Sequence, residues 1–348
     1  MPTTMRNLTT RRDFLGTAVA LALPSAIAVA QSPVDARKAM VRELSDVVRK
    51  HYQDGAAATR LADALRSNLA AGAYDDATLT DAVLAERLTR DLRAIVDDKH
   101  MAVASGMTGK EADITVDAAF AVKVNYGVQA VRRLAGNVGL IELNFFPARK
   151  FGEPLLDRYA AAMTLVRDTR ALIVDVREHM GGDPATVAYV ASYFFERPSF
   201  VVNRIRYRPE RIEEYATTAA PRGGRYGERR PVFVLTSANT FSGGEELAYD
   251  LQATRRARIV GEVTGGGANP NEAFDLGGGF VAYVPNGAAI NPITRTNWEG
   301  AGVAPDVRVD AAKAQASAQR LALEAALAQA TDDAERASIR EALVAMKG

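Results

Sequence analysis

The sequence predicts an α/β protein, of the α+β kind, in which helices cover a β-sheet core. Short apolar runs rich in β-branched residues, such as residues 171–176 and 231–235, have the length and composition of buried strands. Stretches with apolar residues at three- and four-residue steps lie between them and at both ends of the chain. With 348 residues, 48% hydrophobic and 24% charged, the chain is long enough for one large domain and a smaller one.

The composition excludes several classes of function. The 43 basic and 42 acidic residues nearly cancel, so no strong field favours nucleic acid or an anionic membrane surface. The absence of cysteine excludes disulfides, thiolate catalysis and cysteine-based zinc sites. Three histidines are too few for a His-rich metal site, and we expect no metal and no organic cofactor.

Residues 1–30 have the composition of an export signal. Basic Arg11 and Arg12 precede an apolar segment over residues 14–29, and Ala28 and Ala30 form a small-x-small cleavage site. The segment around the two arginines is similar to the twin-arginine export motif. An uncleaved anchor is the alternative, but the apolar segment is shorter than the roughly 20 residues of a membrane-spanning helix. We therefore expect cleavage after Ala30, no stable membrane anchoring afterwards, and a periplasmic or secreted protein.

Residues 31–100 predict a small helical domain. Its last helix is expected over residues 80–96, capped by Thr78 or Thr80, and it ends before Asp98-Lys99-His100. His100 then precedes an apolar run that enters a strand. A single histidine at such a boundary is more often structural than catalytic, and His51 belongs to the same class.

Residues 101–310 predict the α/β domain, and residues 311–348 predict C-terminal helices. Residues 114–131 alternate in polarity and are expected to form two strands, while residues 208–230 have the composition of an exposed loop. Further strands are predicted at 138–143, 171–176, 200–207, 259–262 and 280–285, and helices at 154–167 and 184–195.

Three loops carry candidate functional residues. Gly181 and Gly182 follow a predicted strand, where they either provide a tight turn or offer a backbone N–H to a ligand, with His179 as a candidate base beside them. The glycines at 265–267 are not followed by Gly-Lys-Ser/Thr, so a phosphate-binding P-loop is rejected and a mobile loop or cleft wall remains. Glu299 lies in a turn-rich stretch, where most carboxylates are solvated.

Ser242 lies at the bend between a predicted strand and a predicted helix. One interpretation is a helix-capping serine, because Glu245 stands at the capping-box position. The other is a nucleophile whose developing oxyanion meets the backbone N–H of Gly243. Both interpretations are compatible with the local sequence.

The order and the local sequences of these segments resemble peptidase family S41, the C-terminal-processing and tricorn-like proteases, from about residue 79 to residue 306. The most specific stretch is Thr240-Phe241-Ser242-Gly243-Gly244-Glu245-Glu246 with the Val-Gly-Glu segment at 260–262. The resemblance implies a ClpP/crotonase-like fold and Ser242 as the nucleophile. One branch of the family activates this serine with a lysine, whose position falls here on Gly267, and no lysine occurs between Ser242 and Asp306.

The tricorn-like and interphotoreceptor-retinoid-binding-like branch uses a histidine and a glutamate instead. His100 and Glu299 match those two positions, so the resemblance implies a Ser242, His100 and Glu299 triad. The oxyanion hole would combine the N–H of Gly243 with one from Gly181 or Gly182. The family's turn usually has Asn where this chain has His179, and too few residues separate His100 from the strand at 138 for a PDZ domain.

These features together predict a serine peptidase that hydrolyses peptide bonds of peptide or protein substrates through an acyl-enzyme. Two alternatives stay open: a catalytically inactive S41-like module that binds a small apolar ligand, and an esterase. The sequence does not define the oligomeric state.

Overall fold

The structure is a computed structural model that describes residues 33–76, 78–107 and 117–346. The predicted export signal, residues 1–30, lies outside the described residues. None of the described helices is long and apolar enough to cross a membrane. The helices are α1 (Pro33–His51), α2 (Gly55–Ala70), α3 (Asp81–Arg93), α4 (Ala118–Lys123), α5 (Glu153–Val166), α6 (Pro184–Ala191), α7 (Gly243–Ala253), α8 (Ala311–Gln329) and α9 (Asp333–Ala345).

A mixed sheet of six strands forms the centre of the fold. Its order is β12-β8-β7-β4-β3-β2, and all neighbours are parallel except the antiparallel pair β2 and β3. These strands are β2 (Val128–Leu134), β3 (Val138–Leu143), β4 (Ala171–Asp175), β7 (Val232–Thr236), β8 (Arg258–Gly261) and β12 (Val307–Arg308).

Helices cover both faces of this sheet, because its inner strands are apolar on both sides. Leu172 and Val174 of β4 pack into the core with α5, α6 and α7, whereas Ala171 and Ile173 pack against α8 and α9 on the opposite face. All five residues of β4 are buried, as expected for a strand at the centre of a parallel sheet. The predicted helix-covered sheet is confirmed.

Two three-stranded antiparallel sheets complete the fold, in the orders β1-β10-β9 and β11-β5-β6. Helices α1, α2 and α3 share a hydrophobic core with the first of these sheets, which brings together distant parts of the sequence. The strands are β1 (Ala102–Ser105), β9 (Asn271–Gly277), β10 (Phe280–Pro285), β5 (Val201–Tyr207), β6 (Arg211–Ala216) and β11 (Gly287–Ile290).

Most predicted elements are present, and Thr80 caps α3 by accepting a hydrogen bond from the N–H of Val83. Two predicted elements are wrong, and one predicted helix is shorter than expected. The first of the two strands expected at 114–131 is instead helix α4, because the Asp117 side chain accepts the N–H groups of Ala119 and Phe120 and starts a helix. The expected loop at 208–230 contains strand β6, whose charged residues pair with β5. Helix α6 also ends at Ala191, before the expected residue 195.

Candidate active site

Three loops meet at the carboxyl end of the central sheet. They follow the adjacent parallel strands β4, β7 and β8 and contain His179–Gly182, Ser242 and Thr264–Gly267 respectively. Backbone hydrogen bonds join them: Phe241 N donates to His179 O at 2.9 Å, and Gly265 N donates to Thr240 O at 2.9 Å. This edge is where open α/β sheets place their ligands.

Ser242 occupies a strained position between β7 and α7. Its φ is 52° and its ψ is −119°, a combination that a residue with a side chain adopts only when its surroundings impose it. Its side chain lies so close to Gly181 that a Cβ on that glycine would be 2.7 Å from Ser242 Cβ and 3.1 Å from its Oγ. The serine therefore starts α7 and also faces the glycine turn after β4.

Glu245 fastens the serine turn to the glycine-rich loop. Its buried carboxylate accepts the N–H of Ser242 at 2.8 Å, the N–H of Gly266 at 2.6 Å and the N–H of Gly267 at 2.8 Å, and also the hydroxyl of Thr264. Burial raises the pKa of Glu245, whereas these donors oppose that shift. The capping position predicted from the sequence is present, and the carboxylate also holds a loop about twenty residues away.

The glycine turn after β4 is held from several sides. His179 is fully buried, and its Nδ1 accepts the N–H of Gly181 at 3.0 Å. Phe146 binds the turn on both sides, because its N donates to Gly181 O at 2.8 Å and its O accepts from Asp183 N at 2.7 Å. Burial lowers the pKa of His179 to about 3, so the ring stays neutral. His179 therefore holds the turn, and among the described residues no hydrogen bond joins its ring to Ser242.

His100, Glu299 and Asp98 form a cluster beside the serine turn. One donor atom from each lies within 4.8 Å of the other two. The His100 ring packs against the ring of Phe241, the residue before Ser242, with centroids 4.7 Å apart. Asp98 Oδ1 accepts the backbone N–H of His100 at 3.1 Å and thereby fixes the chain there.

His100 and Glu299 each keep one buried polar atom without a hydrogen-bond partner in the described part of the chain, Nδ1 and Oε1 respectively. Glu299 Oε2 accepts the N–H groups of Ala268 at 2.6 Å and Asn269 at 2.9 Å, which orients the carboxylate. Burial, with a smaller contribution from Arg93, lowers the pKa of His100 to about 4. Burial and then the charge of Asp98 raise the pKa of Glu299 to about 7.

The same cluster has the donor atoms of a cation site. One imidazole and two carboxylates would suit Zn²⁺ in number and type. All three residues also belong to the arrangement around Ser242, so a metal would compete with any role of His100 as a base.

The structure thus brings Ser242, Gly243, Gly181 and Gly182 together, and it places His100 with Glu299 at the same edge. No hydrogen bond joins His100 Nδ1 to either Ser242 or Glu299 among the described residues. Sequence reasoning did not assign roles to Asp98, Phe241 or Glu245 beyond capping. The adjacency of Asp98 to His100 was visible in the sequence, but the stacking of Phe241 depends on tertiary packing.

Comparisons with known proteins agree with this architecture. Residues 137–309 match peptidase family S41, and residues 20–131 match the N-terminal domain of that family as found in eukaryotic IRBP. The two matches together span most of the chain. The chain belongs to peptidase family S41. It is therefore a serine-type peptidase, and this class of hydrolase acts on peptide or protein substrates.

Solved structures share the fold of this S41 peptidase at low sequence identity. A lipoprotein from Streptococcus agalactiae is 14% identical with a TM-score of 0.56, over 83% of this chain and 96% of that one. The photosystem II D1 C-terminal processing protease is 15% identical with a TM-score of 0.50, over 79% and 93%. The tricorn protease is 14% identical with a TM-score of 0.53, over 90% of this chain and 37% of that one.

Proposed function

We propose that this S41 peptidase hydrolyses peptide bonds through an acyl-enzyme, with Ser242 as nucleophile, His100 as general base and Glu299 as the carboxylate that orients the histidine. The observation that carries the proposal is the meeting of His100 and Glu299 beside the strained Ser242 turn. Each of the two residues offers one buried atom without a partner, as a base and its orienting group would need.

The surroundings of Gly267 favour this triad over a serine–lysine dyad. A Cβ at Gly267 would lie 2.7 Å from His100 Cε1 and even closer to the Phe241 ring. A lysine at this position would therefore have to displace both rings. The imidazole occupies the space next to the nucleophile turn that a lysine side chain would need, so only one of the two bases fits.

The chemistry follows from these positions. His100 removes the proton from Ser242 Oγ as the oxygen attacks the substrate carbonyl, and the carbonyl π electrons move to its oxygen. The oxyanion meets the N–H of Gly243 and an N–H of the Gly181–Gly182 turn. His100 then protonates the departing amine, and water attacks the Ser242 ester by the same route. Glu299 Oε1 accepts the Nδ1–H of His100 and stabilises the imidazolium.

A fluorophosphonate probe tests the nucleophile and its base. We expect wild-type protein to be labelled on Ser242 and to hydrolyse peptides near pH 8. Ser242→Ala should not be labelled, and the labelling rate of His100→Ala should be lower by about 10²-fold or more. Ser67→Ala and His51→Ala change the same residue types away from the site and serve as matched controls. Dialysis against a chelator is expected to leave the rate unchanged.

Three results would contradict the proposal. Unlabelled wild-type protein without turnover would favour the module that binds a small apolar ligand. Turnover of esters alone would favour the esterase. Loss of activity on chelation, restored by Zn²⁺, would assign the cluster of Asp98, His100 and Glu299 to a metal instead.

We also propose that the enzyme is exported through the twin-arginine-type signal of residues 1–30. The support is the sequence of that segment, with Arg11 and Arg12 before an apolar stretch and Ala30 at the cleavage site. The mass of the protein recovered from the periplasm or medium of its expressing host should correspond to a chain that begins at Gln31. A full-length chain retained in the cytoplasm would refute export.

A further inference from the structure

The glycine turn after β4 offers two candidate N–H groups for the oxyanion hole, and the hydrogen bonds around it distinguish them. His179 N donates to Val176 O at 3.1 Å, and Met180 N donates to Asn144 O at 2.9 Å. Gly181 N donates to the His179 ring at 3.0 Å, and Asp183 N is bound to Phe146 O. Within the described residues, Gly182 N is the amide of this turn that has no acceptor.

The serine turn shows the same pattern. Phe241 N donates to His179 O, Ser242 N donates to the Glu245 carboxylate, and Gly244 N donates to Phe241 O at 3.0 Å. Gly243 N, the first amide of α7, has no acceptor in the described part of the protein. A Cβ on Gly243 would lie 3.2 Å from Gly182 N, so the two unused amides are neighbours across the gap between the turns.

We infer that His179 is a positioning residue. Its ring accepts the Gly181 N–H, which is then not available to an oxyanion, so the oxyanion hole is formed by the N–H groups of Gly182 and Gly243. The inference rests on the proposed function. His179 also links the two halves of the hole, because its backbone oxygen binds Phe241 and its ring lies against Gly244, where a Cβ would be 2.7 Å from the ring atoms.

The chemistry of the ring suits this task. Nδ1 accepts a hydrogen bond, so the proton of the neutral ring is on Nε2, which is buried without a hydrogen-bond partner among the described residues. The ring packs on Phe146 with centroids 4.2 Å apart, and Phe146 binds the same turn through its backbone. Burial keeps the ring neutral and thus an acceptor at the pH of catalysis.

Substitutions at His179 test the inference on the full-length enzyme. His179→Leu keeps similar bulk but removes the acceptor, so Gly181 N–H is released and the turn can rotate away from the oxyanion. We expect kcat to fall about 10²-fold with KM changed less than about twofold, because the lost contact exists only in the transition state. His179→Asn keeps a short acceptor and should retain most of the activity. His51→Leu is the matched control.

The outcomes separate this inference from the proposed function. If the wild-type enzyme is active and kcat is unchanged in His179→Leu, the role of His179 is overturned, whereas the proposed role of Ser242 is not. Equal losses for the Leu and Asn variants would also overturn it. A wild-type enzyme that fails to label at Ser242 would instead overturn the proposed function and the inference with it.

A second measurement decides the donor even if His179→Leu does not fold. Met180-Gly181 is the only Met-Gly step in the sequence, so with ¹³C-carbonyl Met and ¹⁵N-Gly only the Gly181 amide shows a one-bond ¹³C–¹⁵N correlation. A peptide aldehyde adds to Ser242 Oγ, whose proton passes to His100 while the carbonyl oxygen becomes the oxyanion. We expect the chemical shift of the Gly181 amide proton to stay close to its value in the enzyme without the aldehyde. A strong downfield shift would make Gly181 the donor and overturn the inference.

Discussion

Glu299 combines its proposed orienting role with an environment that disfavours the ionised carboxylate. Its carboxylate is half-buried near Asp98, and burial followed by the charge of Asp98 raises its pKa to about 7. Only the ionised form accepts the Nδ1–H of His100 without a competing proton. In the proposed triad Glu299, rather than His100, sets the pH dependence of activity near neutral pH, since the pKa of the histidine is lowered to about 4.

We expect kcat/KM to fall as the pH decreases through about 7, because Glu299 gains a proton there while His100 is still neutral. Glu299→Gln should lower kcat/KM at pH 8 by about 10²-fold and should lack this acidic limb, since an amide does not titrate. A pH profile of both proteins measures this, with Glu210→Gln as the exposed control. If the acidic limb near pH 7 persists in Glu299→Gln, the titrating group is a different residue.

The raised pKa of Glu299 also makes the free energy of unfolding depend on pH. The folded-state pKa of Glu299 lies above its ordinary value of 4.5, so its contribution is greatest below pH 4.5 and is lost as the pH rises through about 7. The unfolding free energy of wild type should therefore decline relative to that of Glu299→Gln between pH 5 and pH 8. Urea titrations at both pH values provide the comparison.

At the scale of elements, the sequence predicted what depends on local pattern. The apolar runs located β3, β4, β7, β8 and β10, and the order of strand, turn and helix correctly located the Ser242 turn. Elements with weak apolar periodicity were less predictable. Helix α4 depends on a single cap at Asp117, and strand β6 is charged, with stability that comes from pairing with β5.

The candidate site was predictable to a similar degree. The resemblance supplied Ser242, His100 and Glu299, which come from sequence positions about 60 to 200 residues apart, and the structure places His100 and Glu299 together. The donor glycine was not predictable, because the commitment of Gly181 N–H to His179 is a tertiary hydrogen bond. Nor could the sequence show that the Glu245 carboxylate holds the glycine-rich loop. The domain boundaries placed at residues 100 and 310 stay predictions.

At the scale of the whole molecule, the proposed catalytic residues His100 and Glu299 are held by different hydrophobic cores. His100 follows α3, whose residues Leu84 and Leu88 pack with Phe280 and Val284 of β10. Trp298, beside Glu299, belongs to the core on the sheet face that carries α7, and its Nε1 donates to Gly267 O at 2.9 Å. The geometry of the proposed triad therefore depends on how these two cores are joined.

Polar contacts between the N-terminal helices and the later chain join the two cores. Arg208, which follows β5, donates a guanidinium N–H to Tyr52 O at 2.7 Å, and Asn269 Nδ2 donates to Asp98 Oδ2 at 2.9 Å. The second of these bonds links the segment that carries His100 directly to the loop that binds Glu299. We infer that the helical part and the sheet unfold together, although they are far apart in the sequence.

Leu88→Ala tests this coupling. Leu88 is fully buried in α3, and its truncation should destabilise the protein by about 2 to 5 kcal/mol through the cavity that it leaves. Val83→Ala in the same helix is the matched control, because Val83 is 46% exposed and should change stability by about 0.5 kcal/mol or less. Far-UV circular dichroism follows the helices, and the fluorescence of Trp298, the only tryptophan, follows the site.

If the two cores are coupled, Leu88→Ala lowers the denaturant midpoint by the same amount for both signals, because the loss of α3 packing also releases the chain that carries His100. Enzyme activity should then disappear at that shared midpoint. A circular dichroism transition that moves to lower denaturant while the Trp298 transition stays in place would show that the helical part unfolds on its own. The position of His100 would then be adjustable without unfolding the sheet that carries Ser242.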